Sequence, residues 1–253
     1  MRSGVRLPHS PPKGNILEKI LITSGCSFSE TISPWIDTWP RHLARAMPDY
    51  RHVSKAMSSQ GNGLISRSII HACTEYKDAD LLVGIVWSGP DRHDFYLEDN
   101  KVDTTEDDCM ENPTGFTENK RWIILNHNWR NQYAKAYYGM FHDSIGGKIY
   151  TLEHILRTQW FLKHHNIKYF MSTYTKEVLE HIKDQLDCKH LYDLIDFDCF
   201  LPTDGIYEWV QDNIGDSGFP KADDNHPSSA AHKQFTESVI LPFIEDKYFY
   251  GNN

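Results

Sequence analysis

The sequence contains no apolar run approaching the ~20 residues that a membrane-spanning helix requires. Residues 1–13 carry basic side chains but none of the hydrophobic stretch that marks a secretory signal. Paired cysteines are missing too. Cys26, Cys73, Cys109, Cys188 and Cys199 are an odd, widely spaced set with no Cys-x-x-Cys among them. A disulfide framework and a zinc knuckle are both disfavoured, and a reducing, cytoplasmic setting is expected. Basic charge is in deficit, with 26 Lys plus Arg against 35 Asp plus Glu and a formal net charge of −9. Nucleic acid and anionic membrane are therefore poor partners, because both demand a basic footprint. No internal repeat is visible.

What is present suits one large α/β unit. The chain has 253 residues, 40% hydrophobic and 24% charged, an ordinary globular balance. Aromatics at 13% leave an enzyme, a carbohydrate binder and a virion component all open. Residues 1–15, with Pro8, Pro11 and Pro12, read as an extended arm ahead of one domain over residues 16–253. Buried strands are predicted at 16–23 and 81–87, and further strands at about 52–56 and at 167–172. Helices are predicted at 39–47, 64–76, 133–140, 150–165, 175–186 and 227–244. Such alternation implies a doubly wound α/β fold with a parallel sheet. Residues 97–119 are acidic and nearly aperiodic, and read as an inserted surface loop and candidate lid.

Two segments can carry chemistry. Gly25-Cys26-Ser27-Phe28-Ser29 follows the first buried strand, and open α/β sheets collect reactive groups at the carboxyl ends of their strands. Ser27 is the candidate nucleophile there, against the plainer reading of a Ser/Gly turn that caps the next element. Cys26 is the rival, although an unpaired cysteine is more often a small buried hydrophobe. The second segment is Asp223-Asp224-Asn225-His226-Pro227-Ser228. An acid three residues before an imidazole can fix its tautomer and leave the other ring nitrogen free as a base. The plainer reading is a helix start, with Asp and Asn caps and Pro in the first turn.

Together, a serine after the first strand and an Asp-x-x-His-Pro before the last helix resemble the SGNH (GDSL-type) hydrolase family. The tone of GCSFS, WSGPDR and DDNHPS is similar to bacteriophage-encoded members. The resemblance runs from about Ile20 to Ile244 and implies a three-layer α/β/α sandwich on a flavodoxin-like parallel sheet. It implies Ser27 as nucleophile, His226 as base, Asp223 as the acid that orients it, and no cofactor or metal. It further implies an oxyanion hole built from the Ser27 amide and a second-block glycine. One alignment places Ser59 on that glycine and another Gly61, with Asn62 beside them.

The third block departs from the family's Gly-x-Asn-Asp. Here it reads Trp87-Ser88-Gly89-Pro90-Asp91-Arg92, without the asparagine. Ser88 and Arg92 are the candidate substitutes on the substrate side. Arg92 reads first as an internal ion-pair partner and alternatively as the receiver of an anionic substrate group. The fourteen histidines show no metal-ligand spacing. Trp122, Trp129, Tyr133, Tyr137 and Tyr138 suit either a sugar platform or packing of the insert onto the core. The expected substrate is a small-molecule or carbohydrate ester, such as an O-acetyl group. A catalytically inactive SGNH-like binding or structural module, as in a virus particle, is the alternative.

Overall fold

The computed structural model describes residues 17–30, 36–98, 110–112, 120–127, 132–220 and 225–250. The proline-rich arm over residues 1–15 lies outside them. Four strands form a parallel sheet: β1 (Lys19–Ser24), β2 (Arg51–Ser54), β3 (Asp80–Trp87) and, much later in the chain, a strand over Lys168–Thr173. Their order from one edge is β2, β1, β3 and then Lys168–Thr173. This is the flavodoxin-like order, whose switch point falls between β1 and β3. The loops after those two strands stand where sheets of this order commonly take their ligands.

Strand side chains alternate between two apolar layers, as the pleat requires. Ile20, Ile22, Val83, Ile85, Tyr169 and Met171 face one layer, with Ile65, Ile69, Leu152 and Leu156 packed on them. The last four come from α2 (Asn62–Glu75) and from a long helix over Ser144–His164. Leu21, Leu82, Val86 and Phe170 face the other layer. Trp39 and Leu43 of α1 (Trp39–Ala46) cover that side, joined by Ile206, Val210, Ala231 and Phe235. The three-layer α/β/α sandwich is thus complete.

A second sheet departs from the expected surface loop. Strands β4 (His93–Glu98), β5 (Met110–Asn112) and β6 (Lys120–Leu125) form an antiparallel sheet in the order β4, β6, β5. The acidic residues of 97–119 hid it, because most of the β-formers that pair, in HDFYLE and KRWIIL, sit at the two margins of that span and only the short β5 lies wholly within it. Helix α3 (Gln132–Met140) follows β6, and the Ser144–His164 helix is α4. Asp143 caps α4 through N–H groups of Ile145 and Gly146 at 2.9 and 3.0 Å, so the helix begins six residues before the predicted start. The strand Lys168–Thr173 is β7.

Past β7 the predicted helix at 175–186 is replaced by two 3₁₀ turns, Lys176–Val178 and Ile182–Asp184. The chain enters the left-handed region at His181 (φ 58°), which stops a regular helix from continuing. Helices α5 (Leu186–Tyr192) and α6 (Ile206–Asn213) then precede α7 (Ser229–Phe235). The chain stays helical from α7 to Tyr250, with π turns on either side of Leu241–Ile244. Pro242 sits in that stretch and supplies no N–H to an α-type ladder. Among the described residues no helix is long and apolar enough to cross a membrane.

Candidate active site

Ser27 stands on a tight turn directly beyond β1. The N–H groups of Ser29 and Glu30 both donate to the Cys26 carbonyl, at 2.8 and 3.0 Å. Cys26 and Phe28 are buried in the core while Ser27 between them stays partly exposed. The two apolar neighbours anchor the turn, so the hydroxyl is the side chain left facing outward. Ser29 locks the turn to α1, because its Oγ accepts from Trp39 Nε1 at 3.0 Å and its carbonyl from Thr38 Oγ1 at 3.0 Å. Gly25 permits the tight path: a Cβ there would collide with Ser29 Oγ and the Val86 carbonyl. Cys26 is wholly enclosed, which suits its structural reading.

His226 reaches this turn from 199 residues along the chain, with Nε2 2.6 Å from Ser27 Oγ. The Ser228 hydroxyl caps α7 through the Ala231 N–H at 3.2 Å, and the Ser228 N–H donates to the Gly218 carbonyl at 2.7 Å. These bonds hold the segment that carries the imidazole. Phe28 supports the ring at 5.0 Å between centroids. With the proton on Nδ1, Ser27 donates to Nε2, the arrangement in which an imidazole can take the hydroxyl proton. Asp223 lies outside the described residues.

The second-block residues fare differently. Ser59 has φ 60°, the left-handed conformation that glycine adopts most readily, and its N–H has no hydrogen bond among the described residues. Gly61, by contrast, donates its N–H to Asp94 Oδ1 at 3.0 Å. Asn62 clamps Ser88: its Oδ1 accepts the Ser88 N–H at 2.8 Å, and its Nδ2 donates to the Ser88 carbonyl at 2.9 Å and to Thr151 Oγ1 at 3.1 Å. Both Asn62 and Ser88 are buried. The Gly61 N–H and the Asn62 side-chain amide, expected as oxyanion donors, thus have partners inside the protein, as do the backbone groups of Ser88. The Ser88 hydroxyl itself has no hydrogen-bond partner among the described residues.

Arg92 does stay beside the nucleophile turn. Its guanidinium lies 5.2 Å from the Tyr174 ring centroid. Tyr174 packs on Phe28 at 5.2 Å, and Phe28 on His226. Successive ring contacts thus link Arg92, through Tyr174 and Phe28, to the His226 imidazole.

A family model described as "Family of unknown function (DUF6071)" matches residues 31–250. The chain belongs to this family. The matched span includes Arg92 and His226 and begins just after the serine turn. No curated protein matches the chain. Among solved structures, the crystal structure of TesA aligns with a TM-score of 0.51 at 15% identity, covering 90% of this chain and 98% of TesA. At that identity the likeness establishes the fold, an SGNH-like one, for this DUF6071 member.

Asp94 is the site residue that sequence reasoning missed. It is fully enclosed on β4, and its second oxygen accepts the Leu64 N–H at 2.9 Å, so it caps α2 from the small sheet. Burial pushes its carboxyl up to about 6, against the opposing pull of the Gly61 and Leu64 N–H groups. The glycine at 61 is required by this approach, since a Cβ there would stand 2.6 Å from Asp94 Oδ2. The only signal in the sequence was an acid inside a strand pattern, His93-Asp94-Phe95.

Of the aromatic set, Trp129 and the side chain of Trp122 lie outside the described residues. Tyr137 stacks on His93 at 4.6 Å, and the Tyr138 hydroxyl donates to the Leu125 carbonyl at 2.9 Å. Tyr133, Tyr137 and Tyr138 pack with Leu125 and Ala134. These tyrosines join α3 to the small sheet.

Proposed function

We propose that this DUF6071 member is a serine ester hydrolase of the SGNH type. Its substrate is an ester such as an O-acetyl group on a carbohydrate. Ser27 Oγ attacks the carbonyl carbon while His226 Nε2 takes the hydroxyl proton, and Asp223 orients and charge-stabilises the imidazole. The N–H groups of Ser27 and Ser59 hold the oxyanion. Collapse of the tetrahedral intermediate breaks the ester C–O bond, and His226 returns the proton to the departing alcohol. Water, deprotonated by His226, then releases the acid from Ser27. The scheme calls on no metal or organic cofactor.

The 2.6 Å contact between Ser27 Oγ and His226 Nε2 carries this reading. Two residues so far apart in sequence meet at the sheet's switch point in the geometry that nucleophile activation needs. A second reading, a non-catalytic binding or structural module, draws on the third block, where Gly89-Pro90-Asp91-Arg92 offers no asparagine.

A fluorophosphonate probe separates the two. The hydrolase reading predicts stoichiometric labelling of the folded wild type and none of Ser27→Ala. An unlabelled wild type would establish the binding module instead.

A further inference from the structure

We infer that the site takes an ester carrying an anionic oxygen group, such as a carboxylate, near its scissile carbonyl, and that Arg92 receives that group. This rests on the serine-hydrolase reading. Arg92 is positioned from the loop after β3, where its N–H closes a turn on the Gly89 carbonyl at 3.2 Å. Its guanidinium lies 5.2 Å from the Tyr174 ring centroid. Nε and Nη1 are out of contact with solvent and have no acceptor among the described residues.

The two carboxylates close to it in sequence, Asp91 and Asp94, favour its charge through space but hydrogen-bond to other groups. Asp91 Oδ2 lies 2.6 Å from His127 Nδ1, and Asp94 holds the N–H groups of Gly61 and Leu64. Arg92 is thus a largely desolvated, permanently charged group with no ion-pair partner among the described residues. Leaving such a group unpaired is costly, and an arriving anion recovers that cost. Because much of the desolvation is already incurred, the anion meets a cation that water screens weakly. A charge-assisted bond there is stronger than at a surface arginine. Tyr174, on which this cation lies, packs on Phe28, and Phe28 on His226, so the group it recognises is expected on the part of the substrate nearest the ester.

Two pairs of esters test this on the intact protein. Mono(4-nitrophenyl) adipate against methyl 4-nitrophenyl adipate places the charge on the acyl side with a constant leaving group. The pair 4-acetoxybenzoate and methyl 4-acetoxybenzoate places it on the alcohol side. In the wild type, kcat/KM is expected to favour the anionic member of at least one pair by about tenfold or more. In Arg92→Gln the anionic-to-neutral ratio in that pair should fall by roughly 10- to 100-fold, the effect of losing a charged hydrogen bond. Arg92→Lys, which keeps the charge without the fork, should restore part of the ratio.

A wild type with no preference in either pair would overturn the inference without any need for a variant. So would an Arg92→Gln that slows both members of each pair equally, a result that assigns the guanidinium to the oxyanion. Fluorophosphonate labelling distinguishes the underlying failure. A protein that is neither labelled nor active on any of the four esters loses the hydrolase reading, and this inference with it.

Discussion

Replacing His226 with alanine is expected to lower kcat for 4-nitrophenyl acetate by roughly 10⁴-fold or more, the scale seen when a catalytic base is removed from a serine hydrolase. The cause is local. Ser27 Oγ is a poor nucleophile until its proton has somewhere to go, and the acceptor 2.6 Å away is His226 Nε2. Ser27→Ala should fall to the same floor, and the double variant should fall no further. That non-additivity is the signature of two groups acting as one unit. Steady-state rates of the three variants, each checked for folding by circular dichroism, supply the comparison. Independent, multiplying losses would mean that the two residues do not work as a couple.

Mild acid is expected to destabilise the fold strongly before most carboxylates titrate. His232 and His154 are buried, and His93 is partly so. Burial, the largest cause in each case, pushes His232 and His154 down to about 3 and His93 to about 4. Unfolded histidines take up protons near pH 6.5, so below that value the unfolded chain binds more protons than the native one. Stability therefore falls as pH drops from about 6.5 toward 4. Asp94 acts in the opposite sense. Its carboxyl is raised to about 6, so the native state takes up its proton first and gains stability over roughly pH 6 to 4.

Three histidines against one aspartate leave a net loss on the order of 5 kcal/mol across that window. Urea midpoints at pH 7 and pH 4.5 measure it. His154→Gln should flatten the dependence and Asp94→Asn should steepen it. A midpoint that does not move between the two pH values would contradict the burial of these imidazoles.

The layers of the fold were legible because burial imposes a pattern on sequence. The strand at 81–87 is an unbroken apolar run, as expected for a strand covered on both faces, and it lies at the centre of the sheet. Ser27 and His226 were legible because a turn after a strand and an acid–His–Pro cluster before a helix are local signals. Their meeting was not, since it depends on how the sheet and α7 pack.

Donor commitments were hidden for a related reason. Gly61 and Asn62 looked available because nothing in SSQGNG names Asp94 or Ser88, which lie 33 and 26 residues away and take up those groups. The β4–β6 sheet was obscured because its strands pair across acidic sequence, where composition outweighed the short apolar runs. The 3₁₀ turns past β7 replaced a helix at a single left-handed residue, His181, whose conformation its sequence does not announce.

The central claim is that Ser27 attacks the substrate carbonyl and carries the acyl group. Its most direct test is a rapid quench of the wild type during turnover of 4-nitrophenyl acetate, followed by mass spectrometry of the peptides. The account predicts one acetyl group, located on Ser27, that forms within the first turnover and disappears as the substrate is exhausted. Acetylation of Cys26 in place of Ser27, or undiminished hydrolysis by Ser27→Ala, would contradict it.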